Sequence, residues 1–309
     1  MPLRFTFRQL EYLVAVGEAG SIALAPDKLN VSSPSISSAI SQLENELGVQ
    51  IFVRQHAQGL SLTAGGRRIF NEAREILFRA GTLTDLAGDI RQKPGGPITV
   101  GCLITIAPLI GAAIRRSFQA DYHDAAVTLR EAHQAQLLQM LGRAEIDVAL
   151  TYDLDIPADI AFSGLLEMPP YVMVAADHPM AGRDQIALHE IAGEPMVLLD
   201  LPMTRDYFLS MFHAEGLRPN IAERTGEIAV SRTLVANGFG YGFVNARTRS
   251  HLAADGRELA FLRLSGDHRP MVLGLASKRS AHRPRIVAAF EDHVRGLVDS
   301  QTLPGILVD

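Results

Sequence analysis

A nucleophile, a base and an orienting acid would mark an enzyme, and no spacing in these 309 residues assembles such a set. The ten histidines show no ligand spacing, and His189-Glu190 lacks the second histidine of a zinc-protease helix, so neither a metal nor a cofactor is expected. Gly238, Gly240 and Gly242 suggest a nucleotide-binding turn. That turn runs strand, glycines, helix, whereas these glycines end a helical pattern and open a strand pattern. Cys102 is the single cysteine, so an intrachain disulfide is impossible; it reads as a small buried residue, with a redox or ligand-contacting thiol as the sharper alternative. What remains is hydroxyl chemistry in two places: Ser32, Ser33, Ser35, Ser37 and Ser38 around Pro34, and Thr105, Thr151 with Tyr152, and Thr204 with Arg205. Such groups recognise bases, phosphates and small ligands rather than break bonds.

The chain that must position them has room for two or three domains, and its 47% hydrophobic and 20% charged composition is that of a folded protein. It opens on no basic stretch followed by an apolar run and holds no apolar run of about 18 residues, the least a span needs, so a cytoplasmic protein is expected. The net charge of −5 argues against a surface coated in cations. Residues 1–93 carry ten Lys/Arg against nine Asp/Glu and the remainder 19 against 25, so a basic surface at the N-terminal end must come from placement.

Thr6 can cap a helix whose Phe7, Leu10, Leu13, Val14 and Gly17 share one face. Gly20 ends it, and Ser21 can cap a short second helix carrying Ile22, Ala25 and Leu29 inward to about Asn30. Ser32 opens a third, with Ile36, Ile40, Leu43 and Leu47 on a buried stripe, serines outside and Gly48 as the stop. Two short helices joined by a tight turn describe a helix-turn-helix whose second helix enters the major groove. Val49 to Phe52 and Leu60 to Leu62 can pair as a wing bearing Arg54 for phosphate. The same pattern also describes a plain small helical domain.

Phe7-Arg8-Gln9-Leu10-Glu11-Tyr12, Gly20-Ser21, Leu29-Asn30-Val31-Ser32, Leu43-Glu44, Glu46-Leu47-Gly48, Phe52-Val53-Arg54 and Leu62-Thr63-Ala64-Gly65-Gly66 occur in an order and spacing that resemble the LysR-type transcriptional regulators. The resemblance implies a winged helix-turn-helix in which Ser33, Pro34, Ser37 and Ser38 occupy positions that the family usually fills with Gln, Pro, Ser and Arg. The two departures, Ser33 and Ser38, remove an adenine partner and a guanine or phosphate contact, so base readout should lean on the wing, DNA shape and oligomerisation. Pro26 falls where the family commonly has alanine inside the second helix. In a regular helix it would cost about 3 kcal/mol, so a local distortion or a later helix start is expected in preference to an altered docking angle.

From Thr63 to Pro94, Ile69, Ala73, Ile76, Ala80, Leu83, Ala87 and Ile90 recur at alternating steps of four and three. That heptad seam predicts a partner helix, modest in strength because three positions are alanine, and a two-fold pair of winged domains. A long helix lying on its own second domain is the alternative.

After the linker Lys93-Pro94-Gly95-Gly96-Pro97, strands are expected at Ile98 to Cys102, Ala126 to Arg130, Ile146 to Thr151, Tyr171 to Ala175, Met196 to Leu199, Tyr241 to Val244 and Met271 to Ala276. Helices are expected at Ala107 to Phe118, Gln134 to Leu141, Thr204 to Ala214, Ile228 to Ala236 and Pro284 to Leu297. Alternation predicts an α/β class, two lobes with mostly parallel sheets and a cleft between them, the last strand and helix returning to the first lobe. Ile98-Thr99-Val100-Gly101, Leu137-Leu138 through Gly142 to Ile146-Asp147-Val148-Ala149-Leu150, and Leu234 through Gly242 again resemble the LysR-type regulators, whose effector domain is similar to periplasmic solute-binding proteins. Ligands of such sheets sit at the strands' carboxyl ends near helix N-termini, which selects Cys102, Ile104, Thr105, Thr151, Tyr152, Met203, Thr204 and Arg205 and favours a small carboxylate.

The expected organisation is a winged helix-turn-helix domain at 1–62, a linker and dimerisation helix at 63–93 and an effector-binding domain at 94–309. Its lobe I covers about 98–167 and 270–309, and its lobe II about 168–269. The expected partners are double-stranded promoter DNA, a small-molecule effector and a homodimer or, as the resemblance implies, a homotetramer, with no membrane. A solute-binding or enzymatic α/β protein with an appended helical domain is the alternative, and it leaves the first ninety residues without a role.

Overall fold

The computed structural model describes residues 4–22, 31–55, 59–90, 94–279, 283–299 and 305–307, without side chains at 54, 55, 78 and 81–90. The chain divides into two compact units, residues 1–93 with 143–145, and residues 94–142 with 146–309.

In the first unit α1 (Phe7–Ala19) opens on a capping box: Thr6 Oγ1 accepts from the Gln9 amide at 3.2 Å and Gln9 Oε1 from the Thr6 amide at 2.8 Å. It stops at Gly20, whose φ of 63° is the left-handed cap that glycine adopts freely. The expected second helix, with Ala25, Pro26 and Leu29, falls outside the described residues. α2 (Ser33–Leu47) has Ser32 as its N-cap and Gly48 as its C-cap, and buries Ile36, Ile40 and Leu43. Leu47 corrects the expected stripe, because the last turn outruns the core and leaves it 36% exposed. The wing is β1 (Phe52–Gln55) antiparallel to β2 (Gly59–Leu62), with Phe52 opposite Leu62. It begins at Phe52 rather than at Val49, since the amides of Ile51 and Phe52 turn to the Glu44 carboxylate at 2.7 and 3.0 Å.

The long helix α3 (Ala64–Ile90) follows. Phe70 packs into the first unit's core with Leu13, Val16, Ile36 and Ile51, and it lies so close over Gly17 that a methyl there would meet its ring at 2.4 Å. Ala73 is only 2% exposed in that core, with Ile69 and Ile76 packed against it. The start of the heptad seam therefore serves the chain's own domain, a correction for Ala73 above all. Ala80 is half-buried, and the side chains of Leu83, Ala87 and Ile90 lie outside the described residues.

The second unit has two lobes. The first lobe's sheet runs β4 (Ala125–Ala132), β3 (Gly96–Leu103), β5 (Val148–Tyr152), β13 (Met271–Lys278), β6 (Ile160–Met168). β3 is parallel to β4 and β5, while β13 is antiparallel to β5 and β6. Its helices are α4 (Ala112–Asp121), α5 (Gln134–Gly142) and α9 (Arg285–Asp299). The expected helix from Ala107 starts instead with a π-helical turn over Ala107–Gly111.

The second lobe holds β7 (Tyr171–Ala175), β8 (Gln185–Ala187), β9 (Pro195–Leu199), β10 (Asn220–Thr225), β11 (Gly242–Val244) and β12 (Leu259–Ser265). Its helices are α6 (Leu188–Ile191), α7 (Thr204–Ala214) and α8 (Ile228–Ala236). β9 and β10 pair in parallel, whereas β7 runs antiparallel to β11 and β12. The expectation of mostly parallel sheets is corrected here: β7 is antiparallel to both its neighbours and the returning strand β13 to both of its own, while β8 is parallel to β12. The described C-terminal residues 305–307 also depart from the expected lobe boundary, since Ile306 bridges to Thr248 of the second lobe and the Leu307 amide donates to the Arg247 carbonyl at 2.8 Å.

Candidate functional site

On the first unit, α2 carries a row of small hydroxyls away from its buried stripe. Ser32, Pro34, Ser35 and Ser38 are exposed, and Ser33 and Ser37 are half-buried. Ser32 and Ser35 hydroxyls lie 2.9 Å apart at the helix start, where unpaired backbone amides give positive potential. Arg54 pairs through its backbone with Leu60 in the wing, and its side chain lies outside the described residues. The wing's placement on α2 depends on Glu44, so Glu44→Ala is expected to cost about 2 kcal/mol by orphaning the Ile51 and Phe52 amides. Thermal unfolding of the full chain checks this, and an unchanged midpoint would exclude the role.

On the second unit, a cleft of about 290 Å³ opens between the lobes. Thr105, Leu109 and Tyr152 line it from the first lobe, and Leu199, Thr204, Phe208, Phe243, Asn245 and Arg232 from the second. Thr105 follows β3 and its hydroxyl bonds the Tyr152 phenol, which burial pushes up in pKa and keeps neutral. Thr204 opens α7 after a γ-turn at Met203, whose φ of 67° accompanies a bond from the Thr204 amide to the Pro202 carbonyl at 2.8 Å. Such backbone strain persists where the surroundings hold it, here at the rim of the cleft.

Of the eight residues selected from the sequence for this site, Thr105, Tyr152 and Thr204 line the cleft. The others do not. Thr151 is fully buried and donates to Gln134 Oε1. Cys102 borders a small apolar gap with Val100, Ile114 and Phe290, and burial pushes its thiol up to about 12, which leaves little thiolate at neutral pH. Ile104 and Met203 are absent from the lining. Arg205 is spent on Asp200 at 2.7 Å and Asp206 at 2.9 Å, and Asp200 also takes Arg224 at 3.2 Å.

The cleft's charged side chain, among its described lining residues, is Arg232. Its Nη1 donates to Thr248 Oγ1 at 3.2 Å and its Nη2 to the Ser250 and Leu252 carbonyls at 3.0 and 2.9 Å. The guanidinium also lies over the Phe261 ring at 5.4 Å. Burial lowers its pKa, although a guanidinium stays charged at any physiological pH. The sequence did hold a signal for it: Ile228, Arg232 and Val235 share one face of α8, a cation set on an apolar stripe.

A family model described as the LysR substrate binding domain matches residues 91–299, and one described as a bacterial regulatory helix-turn-helix protein of the lysR family matches residues 7–67. The chain belongs to the LysR family of transcriptional regulators. It resembles HinK, a LysR family regulator from Pseudomonas aeruginosa, at 32% identity, 95% and 99% coverage of the two chains and a TM-score of 0.64. It is 28% identical to the transcriptional regulator CysB of Haemophilus influenzae over 279 residues, 88% of this chain and 84% of that one. The structure of full-length CbnR complexed with its target DNA is 26% identical, with 95% and 100% coverage and a TM-score of 0.56. This LysR-type regulator is thus a DNA-binding protein whose activity an effector modulates, and the match over the winged domain does not favour the solute-binding or enzymatic alternative.

Proposed function

We propose that the lobe cleft of this regulator binds a small organic anion with an apolar body, and that occupancy alters how the winged domains hold promoter DNA. The observation that carries this reading is Arg232 as the one charged side chain among the described residues of a mostly apolar lining, fixed by three acceptors and free of any carboxylate partner among the described residues. A guanidinium has five N–H donors, so the three bonds leave donors for a ligand. Thr204 at the start of α7 adds a hydroxyl and a helix N-terminus. Tyr152 and Thr105 offer polar atoms from the opposite lobe, so one ligand can touch both lobes and favour their approach.

The α2 face from Ser32 to Ser38 and the wing with Arg54 would then contact double-stranded promoter DNA, a partner with which the similar CbnR is found in complex. The part of α3 from Ala80 onward would pair with a second copy in a homodimer or homotetramer. The reading is of a regulator and not an enzyme, since the relatives are transcriptional regulators. A cytoplasmic site of action fits DNA binding, and no described helix is long and apolar enough to cross a membrane.

A thermal-shift screen of carboxylates, phosphates, amines and neutral aromatics against the full chain tests the cleft. Small carboxylates are expected to stabilise it, and Arg232→Gln to weaken them about 30-fold, the loss of one charge-assisted bond. Arg205→Gln should leave that affinity within about twofold, since its partners are Asp200 and Asp206. Hits confined to amines or neutral rings, or an R232Q chain that binds carboxylates normally, would overturn the anion reading.

A further inference from the structure

We infer that residues 305–307 form a strap that positions Arg232 for its ligand without touching that ligand, an inference that rests on the reading of Arg232 as the cleft's anion-binding group. Gly305, Ile306 and Leu307 are absent from the cleft lining. They nevertheless meet both of its walls. On the second lobe Ile306 bridges antiparallel to Thr248, the Leu307 amide donates to the Arg247 carbonyl at 2.8 Å, and the Arg249 amide donates to the Gly305 carbonyl at 3.3 Å. On the first lobe Gly305 lies against Leu109, a lining residue of the π-helical turn, so closely that a methyl on Gly305 would overlap the Leu109 backbone. The Ile306 side chain between these contacts is fully buried in the main core of the second unit.

Strap and site join at Thr248. Its backbone faces Ile306, while its hydroxyl accepts from Arg232 Nη1 at 3.2 Å and donates to the Ser250 carbonyl at 2.6 Å. That same carbonyl takes Arg232 Nη2 at 3.0 Å. Two of the three acceptors that hold the guanidinium therefore sit on a stretch whose backbone, at Arg247 and Arg249, is bonded to the strap.

The stretch has little burial of its own to fix it. Arg249 and Ser250 are exposed, and surface loops with few buried apolar contacts belong to the least stable part of a fold. Ile306 supplies the missing apolar anchor in the core. A guanidinium held in place before the ligand arrives spares binding the cost of ordering a long side chain, so the strap acts on affinity through Arg232.

Phenylglyoxal labelling of the full chain, read at each arginine by mass spectrometry, follows the hold on Arg232 with no ligand present. Ile306→Ala is expected to speed labelling of Arg232 by about threefold or more, and Ile306→Val, which keeps most of the buried side chain, to stay near the parent. Gly305→Ala lifts the strap from Leu109 while keeping Ile306, and should speed Arg232 in the same direction. Arg205, held by Asp200 and Asp206, is the internal control and should not change. Titration calorimetry with benzoate, and with neutral benzamide of the same shape, reads the consequence for binding. I306A should weaken benzoate about fivefold and benzamide by less than about twofold, and in an R232Q background its penalty on benzoate should vanish, since groups that act through one another do not add. A general loss of stability would lower both probes alike. Arg232 labelling unchanged in both I306A and G305A, or a benzoate penalty that persists in the R232Q background, would overturn the strap even where Arg232 proves to bind carboxylates. A parent chain that ignores benzoate while its Arg232 labelling still responds to Ile306 would instead sink the anion reading and uphold the strap.

Discussion

Gly66→Ala is expected to abolish tight promoter binding while leaving the effector unit folded. Gly66 lies in the first turn of α3, where a side-chain methyl would sit 2.0 Å from the Ile51 carbonyl oxygen. Neither partner can step aside. Ile51 is fully buried, its carbonyl accepts the Thr63 amide at 2.9 Å, and the Gly66 amide is held by Thr63 Oγ1 at 2.8 Å. The Thr63 hydroxyl in turn donates to the Gln50 carbonyl at 2.7 Å, so helix start and wing base form one hydrogen-bonded unit. Forcing them apart costs about 3 kcal/mol or more, at the upper end of overpacking penalties, and swings the wing away from α2. Electrophoretic mobility shift should show at least a tenfold loss of affinity, with the ligand-stabilised thermal transition of the effector unit in place. The accompanying control is Gly65→Ala, whose added methyl would meet only Val49 at 3.3 Å and Thr63 at 3.9 Å, and which should retain most binding. Equal affinities for the two variants would mean that the wing base tolerates displacement.

Legibility followed burial. β7, α7 and α8 occupy the residues expected of them, because each carries an uninterrupted apolar run or one apolar face with clear ends. β10, with Asn220, Glu223 and Arg224, was not read as a strand: it is an edge strand with most residues in solvent, and hydrogen bonding to β9 replaces the apolar pattern that a sequence can show. β6, β8 and β12 were missed for related reasons, since their exposed positions dilute the alternation. The heptad reading of Ala73 failed differently. A step of 3.5 describes any narrow contact stripe, and only the three-dimensional place of Phe70 and Gly17 shows that the near partner is the chain's own α1. Strand-end logic selected Thr105, Tyr152 and Thr204, which line the cleft, and Arg205, which does not. Arg205 and Arg232 both lie on second-lobe helices, and what separates them is Asp200, five residues before Arg205, which neutralises it at 2.7 Å. Local acids such as Asp200 and Asp206 were visible in the sequence, and weighing them would have removed Arg205 from the lining.

Gln134→Leu is expected to be the most damaging single change in the effector unit, and Gln134→Glu to convert the same damage into a pH response. Gln134 opens α5 and is 1% exposed. Its Nε2 donates to the Tyr152 and Leu154 carbonyls at 2.7 and 2.8 Å, and its Oε1 accepts from the Tyr152 amide at 3.1 Å and from the Thr151 hydroxyl. The side chain thus closes the end of β5 at the residue that lines the cleft. Leucine fills the volume but orphans four buried polar groups, for a loss of about 4 kcal/mol at the order-of-magnitude level. Glutamate keeps the acceptor half. Its second oxygen, however, faces two carbonyls and satisfies one of them only as the protonated acid. The folded chain therefore raises this carboxyl above the value of about 4.3 that it has when unfolded. The sign follows by linkage: the Q134E chain binds a proton more tightly when folded, so its added stability is present below about pH 4.3 and is lost as the pH rises toward the elevated folded value. Relative to the parent at each pH, the deficit in unfolding free energy should be small in acid and should grow to that of Q134L near neutrality. Ligand affinity at neutral pH should fall in both variants, because Tyr152 loses its anchor. A deficit for Q134E that is flat from pH 4 to 8 would show that water or a shifted backbone satisfies the carbonyls, and would remove Gln134 as the element that fixes the β5 wall of the cleft.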